Sequence, residues 1–213
     1  MEPTEGEIPK AFIHETAIVE NQAVVEPGSK IWHFCHIRRD AKVRKDVSLG
    51  RDVYVDVGVE IGEGTHVQNG VSIYSGVNVG QWCFIGPHVI FTNDNNPRAG
   101  NTRWNRVSTT LENGAAIGAG AIIRCGVTIG SYSMVGAGTI VTKDVPPFHL
   151  VVGFPGKSVN LVCACGQNLF PLECPLSSLL GDCCREIMNP KSYTLAKEAL
   201  EKWRGCIVNE LGT

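Results

Sequence analysis

An aliphatic residue recurs at every sixth position over the first half of the chain. This series has thirteen members, which are Ile13, Val19, Val25, Ile31, Ile37, Val43, Leu49, Val55, Ile61, Val67, Ile73, Val79 and Ile85. A period of six fits neither the 3.6-residue turn of an α-helix nor the two-residue alternation of a lone strand. It therefore indicates the repeated unit of a solenoid.

A second small or apolar residue follows each member of the series by four positions. These residues are Ala17, Ala23, Ser29, Cys35, Ala41, Val47, Val53, Val59, Thr65, Val71, Val77, Cys83 and Val89. An even spacing puts both residues on one face of an extended segment, so we expect both to point inward. Glycines are frequent at the second and fourth positions of the six, where we expect corners at which a positive φ costs glycine little.

The six-residue pattern stops after Phe91 and resumes in a shifted phase. The resumed series is Leu111, Ile117, Ile123, Ile129, Val135 and Val141. The intervening residues 93–110 are polar and rich in turn formers, so they are predicted to form a loop thrown out from one corner. Loops of this length in a compact fold are usually functional or disordered.

Composition narrows the possible partners and the cellular setting. The chain has 213 residues, 43% of them hydrophobic, which suffices for one large core with a small appendage. A formal charge of -2 gives no reason to expect nucleic acid or an anionic membrane as a partner. The acidic first residues and the lack of a long apolar run predict a soluble, cytoplasmic protein. Its nine cysteines are then expected to be free thiols or metal ligands.

Several segments carry a resemblance to a known family. The segments IGEGT (61–65) and IGAGA (117–121), followed by VGAGTIVTKDVPP and VVGFPGK, resemble the hexapeptide-repeat acyltransferases. The segments IWHF (31–34), VQNGVSIY (67–74) and GPHVIFTNDNNPR (86–98) are similar to N-acetyltransferases of nucleotide-linked 3-amino sugars, of the UDP-2-acetamido-3-amino-2,3-dideoxyglucuronate type. Over about residues 12–170, the resemblance implies a left-handed parallel β-helix of about six coils, a homotrimer and acetyl-CoA as donor.

Three six-residue sides per coil would stack residues that are eighteen apart. One pair of stacked columns then reads Trp32, Gly50, Gln68, Gly86 and His33, Arg51, Asn69, Pro87. Another pair reads Arg38, Asp56, Tyr74, Thr92 and Arg39, Val57, Ser75, Asn93. A polar edge enclosed between neighbouring subunits would suit an extended ligand.

Asn93 and His88 are the candidate catalytic residues. The resemblance implies that Asn93 holds the acceptor amine beside the thioester. An amide is no base at neutral pH, so its role would be orientation. His88 is the candidate general base, with Asp52 along the same edge. The alternatives are an asparagine that caps the loop turn and a histidine in a surface turn.

Five residues are candidates for binding a sugar nucleotide: Trp32, His33, Asn69, Tyr74 and Arg98. An aromatic beside an imidazole suits a nucleotide base or a sugar carboxylate, and Arg98 suits a diphosphate or carboxylate. The resemblance implies sugar-nucleotide contacts for Asn69 and Tyr74, although the chain has Gly70 where relatives often have a second asparagine. A solvated loop charge is the alternative for Arg98.

The donor site is expected at two matching GAG segments eighteen residues apart, where small side chains let a ligand approach the backbone. The candidate residues for coenzyme A are Gly118, Ala119, Gly136, Ala137, Lys143 and Lys157. The resemblance implies backbone hydrogen bonds to the pantetheine arm. The lysines would meet the phosphates, unless they are ordinary surface charges.

Composition changes beyond residue 160. Cys163 and Cys165 in a C-x-C-G segment, with the adjacent Cys183 and Cys184, supply four thiolates for a tetrahedral zinc ion; free thiols are the alternative. The residues from Ser192 have helical spacing. We expect a lead-in over residues 1–12, a β-helix over 13–159 with loop 93–110, and a cysteine-containing tail over 160–213.

The prediction is an N-acetyltransferase that transfers acetyl from acetyl-CoA to the amine of a UDP- or dTDP-linked amino sugar in surface polysaccharide synthesis. The alternative is a solenoid scaffold whose loop binds a partner without catalysis. A zinc hydratase on the same helix is disfavoured, because His66 and His88 do not share a stacking column.

Overall fold

The computed structural model describes residues 10–211, with side chains described as far as residue 206. Of the lead-in expected over residues 1–12, positions 1–9 lie outside the described residues. No helix in the described part of the chain is both long enough and apolar enough to cross a membrane.

Three parallel sheets form the sides of a triangular solenoid. Sheet A contains β1 (Phe12–Ile13), β4 (Lys30–Ile31), β7 (Ser48–Leu49), β10 (His66–Val67), β13 (Phe84–Ile85), β16 (Ala116–Ile117), β19 (Met134–Val135) and β21 (His149–Val152). Sheet B contains β2 (Ile18–Val19), β5 (His36–Ile37), β8 (Tyr54–Val55), β11 (Ser72–Ile73), β14 (Ile90–Phe91), β17 (Ile122–Ile123) and β20 (Ile140–Val141). Sheet C contains β3 (Val24–Val25), β6 (Lys42–Val43), β9 (Glu60–Ile61), β12 (Val77–Val79), β15 (Thr109–Leu111) and β18 (Thr128–Ile129).

Residues eighteen apart stack, as the spacing predicted. Ile31 pairs with Leu49 in sheet A, and the register skips only where the loop intervenes, so that Val79 pairs with Leu111. We call the three stacked corners the AB, BC and CA edges, after the sheets that meet there. The AB edge includes residues 32–34, 50–52, 68–70, 86–88, 118–120 and 136–138. The BC edge includes residues 38–40, 56–58, 74–76, 92–94, 124–126 and 142–144.

The solenoid has about eight turns, since sheet A contributes eight parallel strands. The prediction of about six coils was low because three six-residue sides do not continue the series of aliphatic residues at every sixth position. One is at Phe91, which is aromatic but in step with the series. The others are at Val145, which bridges to Ile129, and at Val151, which pairs with Val135.

The inward positions of the repeat form one continuous core. Ile31, Ile61, Ile85 and Ile117 are fully buried, and so is the small residue Ala41 at the other inward position. Burying an aliphatic side chain of this size contributes about 1.5–3 kcal/mol. The strands are only two or three residues long, so this stacked core holds the coils together.

The two glycine positions of the repeat serve different purposes. The fourth position has positive φ whether it is glycine, as at Gly70 (φ 69°), or not, as at Asp52 (φ 58°). The second position lacks positive φ, so that expectation was wrong there. Some second positions need glycine because the next coil is close: a Cβ at Gly62 would lie 2.4 Å from the carbonyl carbon of Gly80.

The tail packs on the last coils as a small second core. Two antiparallel strands, β22 (Lys157–Val162) and β23 (Leu169–Phe170), extend sheet A and precede a 3-10 helix (Leu176–Leu180), α1 (Asp182–Ile187) and α2 (Pro190–Leu211). Helix α2 docks through Ala196 and Leu200, and Ser192 accepts a 2.5 Å hydrogen bond at its carbonyl from the Tyr132 hydroxyl. The core comprises Tyr132, Phe148, Leu161, Leu179, Ala196 and Leu200.

Candidate functional site

A surface pocket of about 310 Å³ lies on the AB edge and contains three of the predicted substrate residues. Trp32 and His33 form one wall of the pocket. Their rings are nearly parallel, with an interplanar angle of 6° and centroids 6.4 Å apart. Asn69 lies on the opposite side of the pocket, where its Oδ1 accepts a 2.9 Å hydrogen bond from the backbone N–H of Arg51. An aromatic wall facing amide and guanidinium groups can hold a planar base beside an anionic or hydroxylated group.

His88 lies on the same edge, one coil beyond Asn69. Its backbone N–H donates a 3.0 Å hydrogen bond to the Asn69 carbonyl. Its imidazole covers Gly70, since a Cβ at that glycine would be 2.5 Å from Nδ1. The ring therefore occupies the space that the side chain of the missing second asparagine would need. His88 is exposed, so its ring nitrogens can reach a ligand on this edge.

A bare backbone ledge continues the AB edge beyond His88. It consists of Gly118, Ala119, Gly120, Gly136, Ala137 and Gly138, which stack in matching positions, with the Gly138 N–H donating to the Ala119 carbonyl at 2.9 Å. A Cβ at Gly120 or Gly138 would meet no atom within 4 Å, so the ledge is open at these two positions, whereas one at Gly136 would lie 2.8 Å from Val152 Cγ1. Lys157 begins β22 opposite Val152, at the end of this edge. An extended ligand can lie along the ledge against backbone.

Asn93, Tyr74 and Lys143 lie on the BC edge instead. Asn93 follows β14, whereas His88 precedes it, so one side of the solenoid separates the two residues. Tyr74 is 38% exposed, and Lys143 is exposed one coil beyond Cys125. One chain therefore does not bring the predicted orienting amide and the predicted base together.

The loop leaves and re-enters the solenoid at the BC edge. The Asn93 carbonyl accepts a 3.1 Å hydrogen bond from the Val107 N–H, which closes the base of the loop. Asn95 is also fixed, because its Oδ1 accepts from Arg124 Nε at 3.2 Å. Arg98 and Trp104 lie further out and are exposed, with Trp104 at 52%. The loop is thus anchored at its base and presents a cation and an aromatic to solvent.

A polar network that the sequence reading missed supports the BC edge. Arg38 Nη1 donates to the Tyr54 hydroxyl at 2.8 Å, and that hydroxyl donates to Asp56 Oδ1 at 3.1 Å. Asp56 Oδ2 accepts the Ser75 N–H at 3.1 Å and thereby fixes the turn after Tyr74. The eighteen-residue spacing of Arg38, Asp56 and Tyr74 was the available signal, but spacing does not reveal which atoms meet.

The pKa of Asp56 is lower than that of an ordinary aspartate. Burial alone would raise this pKa, but hydrogen bonds to the carboxylate and a nearby cation outweigh it. The donors are the Val57 and Ser75 N–H groups and the Tyr54 hydroxyl, and the cation is Arg38. The network therefore keeps Asp56 ionised.

A larger pocket of about 770 Å³ lies along the CA edge, between sheet C and helix α2. Its cations are largely paired: Arg44 contacts Glu26 at 2.8 Å and Glu60 at 2.7 Å. Lys191 of α2 also bridges to Glu63 at the same edge. These pairs leave little uncompensated charge for a ligand, and no predicted site residue lines this pocket.

The four cysteines proposed as metal ligands converge in the tail. The Sγ atoms of Cys163, Cys165, Cys183 and Cys184 all lie within 4.8 Å of one another. Burial works to raise the pKa of Cys163, but hydrogen bonds, first among them the Asn168 N–H, hold it below its ordinary value. This cluster is separate from the AB and BC edges.

Two protein-family models match the chain within its coils. One, described as bacterial transferase hexapeptide (six repeats), matches residues 108–143; the other, the hexapeptide repeat of succinyl-transferase, matches residues 42–75. No curated protein matches the chain significantly.

Several solved structures are similar to the chain. A hexapeptide transferase family protein from Anaplasma phagocytophilum is 19% identical, over 92% of both chains, with a TM-score of 0.50. A hexapeptide-repeat acetyltransferase from Vibrio cholerae O1 biovar eltor, complexed with acetyl coenzyme A, is 28% identical over 53% of this chain and 69% of that chain, with a TM-score of 0.46. A GDP-perosamine N-acetyltransferase from Caulobacter crescentus, in complex with CoA and GDP-perosamine, is 23% identical over 72% of this chain and 58% of that chain, with a TM-score of 0.38. The six-residue repeat, the stacked coils and the two matching repeat models make the chain similar to the hexapeptide-repeat transferases.

Proposed function

We propose that the chain is an acetyl-CoA-dependent N-acetyltransferase that acts on the amino group of a nucleotide-linked amino sugar. The observation that carries this proposal is the order of features along the AB edge. An aromatic and polar pocket comes first, the exposed imidazole of His88 follows, and the bare ledge of residues 118–120 and 136–138 comes last. A scaffold without catalysis would require no such order.

The pocket suits the acceptor. Trp32 offers a ring face on which a nucleotide base stacks, beside the His33 ring, which itself stacks on His14 at 3.6 Å between centroids. The Arg51 guanidinium pairs with Asp52 at 3.2 Å, and a diphosphate would share this cation with the carboxylate. Asn69 is left with its amide N–H₂ for a sugar hydroxyl or carboxylate, since its Oδ1 already accepts the Arg51 N–H. This arrangement would place the sugar toward His88.

The ledge suits the donor. The pantetheine arm of coenzyme A is a narrow, extended chain with two amides, and a surface of glycine and alanine lets it approach backbone. Gly120 and Gly138 have open space where a Cβ would stand. Lys157, at the end of the edge, is placed to meet a coenzyme A phosphate.

His88 is positioned between these two ligands and would act as general base. The amine nitrogen of the sugar attacks the thioester carbonyl carbon, and a C–N bond forms. The imidazole takes the proton that the nitrogen loses. The C–S bond then breaks, the electron pair goes to sulfur, and the imidazolium returns the proton to the coenzyme A thiolate. Amide product and free thiol are released.

Asn93 would come from a neighbouring copy in a homotrimer. If sheet B of each copy faces a threefold axis, the AB edge of one copy lies beside the BC edge of the next. Such an interface is heterologous and closes as a ring. The outward side chains of sheet B support this packing because four of the seven are isoleucine: Ile18, Ile90, Ile122 and Ile140. The outward side chains of sheet C are polar except for Val24. Asn93 would then orient the amine, and Lys143 would lie beside the coenzyme A bound on the neighbouring copy.

The test is release of free thiol from acetyl-CoA in the presence of UDP-, dTDP- and GDP-linked amino sugars. We expect turnover with at least one acceptor, together with an acetylated product detected by mass spectrometry. Free amino sugars without a nucleotide should react poorly, because they have no base to stack against Trp32 and His33. Absence of thiol release, with no binding of acetyl-CoA by calorimetry, would favour a non-catalytic solenoid that binds a partner through its loop.

A further inference from the structure

Four of the six cysteines in the tail meet although they come from two separate segments. Cys163 and Cys165 lie in the connection between β22 and β23, and Cys183 and Cys184 lie in the first turn of α1. Their Sγ atoms are 3.4 Å apart for the first pair and 3.9 Å for the second, with 3.7 Å between Cys165 and Cys183. Chain folding, not sequence proximity, therefore forms this cluster.

The distances match the requirements of a tetrahedral metal ion. Zinc binds thiolate sulfur at about 2.3 Å, and a tetrahedron with that radius has edges of about 3.8 Å. The three sulfur separations in the cluster range around this value. A disulfide requires about 2.0 Å, and all four cysteines are free thiols.

A backbone N–H and a side-chain amide donate hydrogen bonds to sulfur atoms of the cluster, which favours negatively charged thiolates. Asn168 donates its N–H to Cys163 Sγ at 3.2 Å and its Nδ2 to Cys183 Sγ, also at 3.2 Å. Gly166 makes the tight turn that returns the chain, with φ 79° and its N–H on the Cys163 carbonyl at 2.8 Å. Outer donors of this kind orient metal-bound ligands and stabilise their charge.

The other two cysteines of the tail stay outside the cluster. Cys174 is half-buried, and its Sγ contacts the Pro175 carbonyl at 3.7 Å. Cys206 is exposed on α2. The convergence is thus specific to four positions and is not a consequence of a cysteine-rich tail.

We infer that Cys163, Cys165, Cys183 and Cys184 bind one zinc ion that fastens the β22–β23 hairpin to α1. Four protein ligands fill a tetrahedral site and leave no position for water or substrate, so the role is structural. The ion holds the tail against the last coils, where the 3-10 helix and α2 complete the core around Phe148. This site goes beyond the proposed acetyl transfer and stands independently of it.

The experiment measures metal in the full chain, purified without a histidine tag and without chelators. We expect one zinc per chain by elemental mass spectrometry. Cys163→Ser and Cys183→Ser should each lower this to well below half, whereas Cys174→Ser, the matched control from the same tail, should keep it. Cobalt added to zinc-free protein should give the visible bands of a tetrahedral tetrathiolate. Metal-free protein that takes up neither ion, iron in place of zinc, or full zinc in both ligand variants would overturn the assignment.

A second measurement on the unsubstituted chain avoids variants that fail to fold. Treatment with a chelator should expose four additional thiols to alkylation, identified by peptide mapping as the proposed ligands. The β-sheet circular dichroism of the solenoid should persist, because its core at Ile61 and Ile117 lies outside the tail. An unchanged alkylation pattern, or a disulfide among these four residues in the purified protein, would refute the site.

Discussion

At the residue scale, the imidazole of His88 depends on the glycine beneath it. Gly70 has φ 69°, and an added Cβ would lie 2.5 Å from His88 Nδ1 and 2.7 Å from Cε1. Gly70→Ala should therefore displace the ring, and we expect the acetyl-transfer rate to fall at least tenfold. Steady-state kinetics and thermal unfolding of the same preparation separate activity from stability.

Gly58→Ala is the control for that variant. Gly58 has the same φ of 69°, but an added Cβ would meet nothing within 4 Å. Both variants carry the cost of a left-handed alanine, about 1–2 kcal/mol, and only Gly70→Ala affects His88. Equal losses of activity in the two variants would show that the glycine acts through stability alone.

Removing the proposed base should affect turnover more than binding. His88→Ala is expected to lower kcat by about 10²–10⁴, the usual contribution of a general base, with a small change in the KM for acetyl-CoA. The pH profile of the wild-type rate should change shape in the variant, because the group that accepts the proton is gone. His66→Ala, an exposed histidine in the middle of sheet A, should behave as wild type. A normal rate for His88→Ala would exclude the base role.

Asn93→Ala tests the orienting amide. Because an amide positions the amine without taking its proton, this variant should lower kcat while the shape of the pH profile stays as in wild type. Together, the two profiles distinguish the base from the orienting group. An altered pH dependence in Asn93→Ala with a normal one in His88→Ala would reverse the proposed roles.

At the element scale, the network under the BC edge should make stability depend on pH. The folded-state pKa of Asp56 is lowered, so its contribution is present above the unfolded aspartate pKa of about 3.9 and is lost as the pH falls through the folded value. Asp56→Asn should reduce the free energy of unfolding by about 1–3 kcal/mol at neutral pH, and by less below about pH 4. Urea denaturation at several pH values measures this difference.

Asp40→Asn is the matched comparison, since Asp40 is an exposed corner residue on the same edge. We expect this variant to unfold as wild type does at neutral pH. A constant difference between Asp56→Asn and wild type over the whole acid range would contradict the ionised network.

The regular elements were largely predictable from the sequence, and the site was predictable only in part. Inward residues such as Ile61 and Thr65 were predicted because burial imposes the period directly. The columns at His33 and Asn69 followed from that period. Residue spacing already put His88 and Asn93 in columns at different corners, but it cannot show which corners of neighbouring copies would meet. It also gives no sign that Cys165 meets Cys183, which depends on how the tail folds back.

At the scale of the whole molecule, the proposed site requires a second copy of the chain. Ile90 is 51% exposed on sheet B, the face that would surround the threefold axis. Ile90→Glu should convert a trimer into monomers and abolish most activity, because it buries a charge between subunits. Val24→Glu, at an equivalent outward position of sheet C with 46% exposure, should leave assembly and activity intact. Analytical ultracentrifugation reads out the assembly, and an active wild-type monomer would exclude the shared site.

The hydrogen bond between Val107 and Asn93 also has a consequence for how the chain can diverge. The coil that carries the excursion spans 32 positions from Val79 to Leu111, where an uninterrupted coil spans eighteen, so fourteen extra residues leave the phase of every later coil unchanged. Insertions or deletions at the tip of this loop can therefore accumulate without moving an inward residue of the solenoid. Elsewhere, a single-residue indel would rotate all downstream side chains out of place. Variation in length, and with it acceptor preference, is expected to concentrate in this one segment.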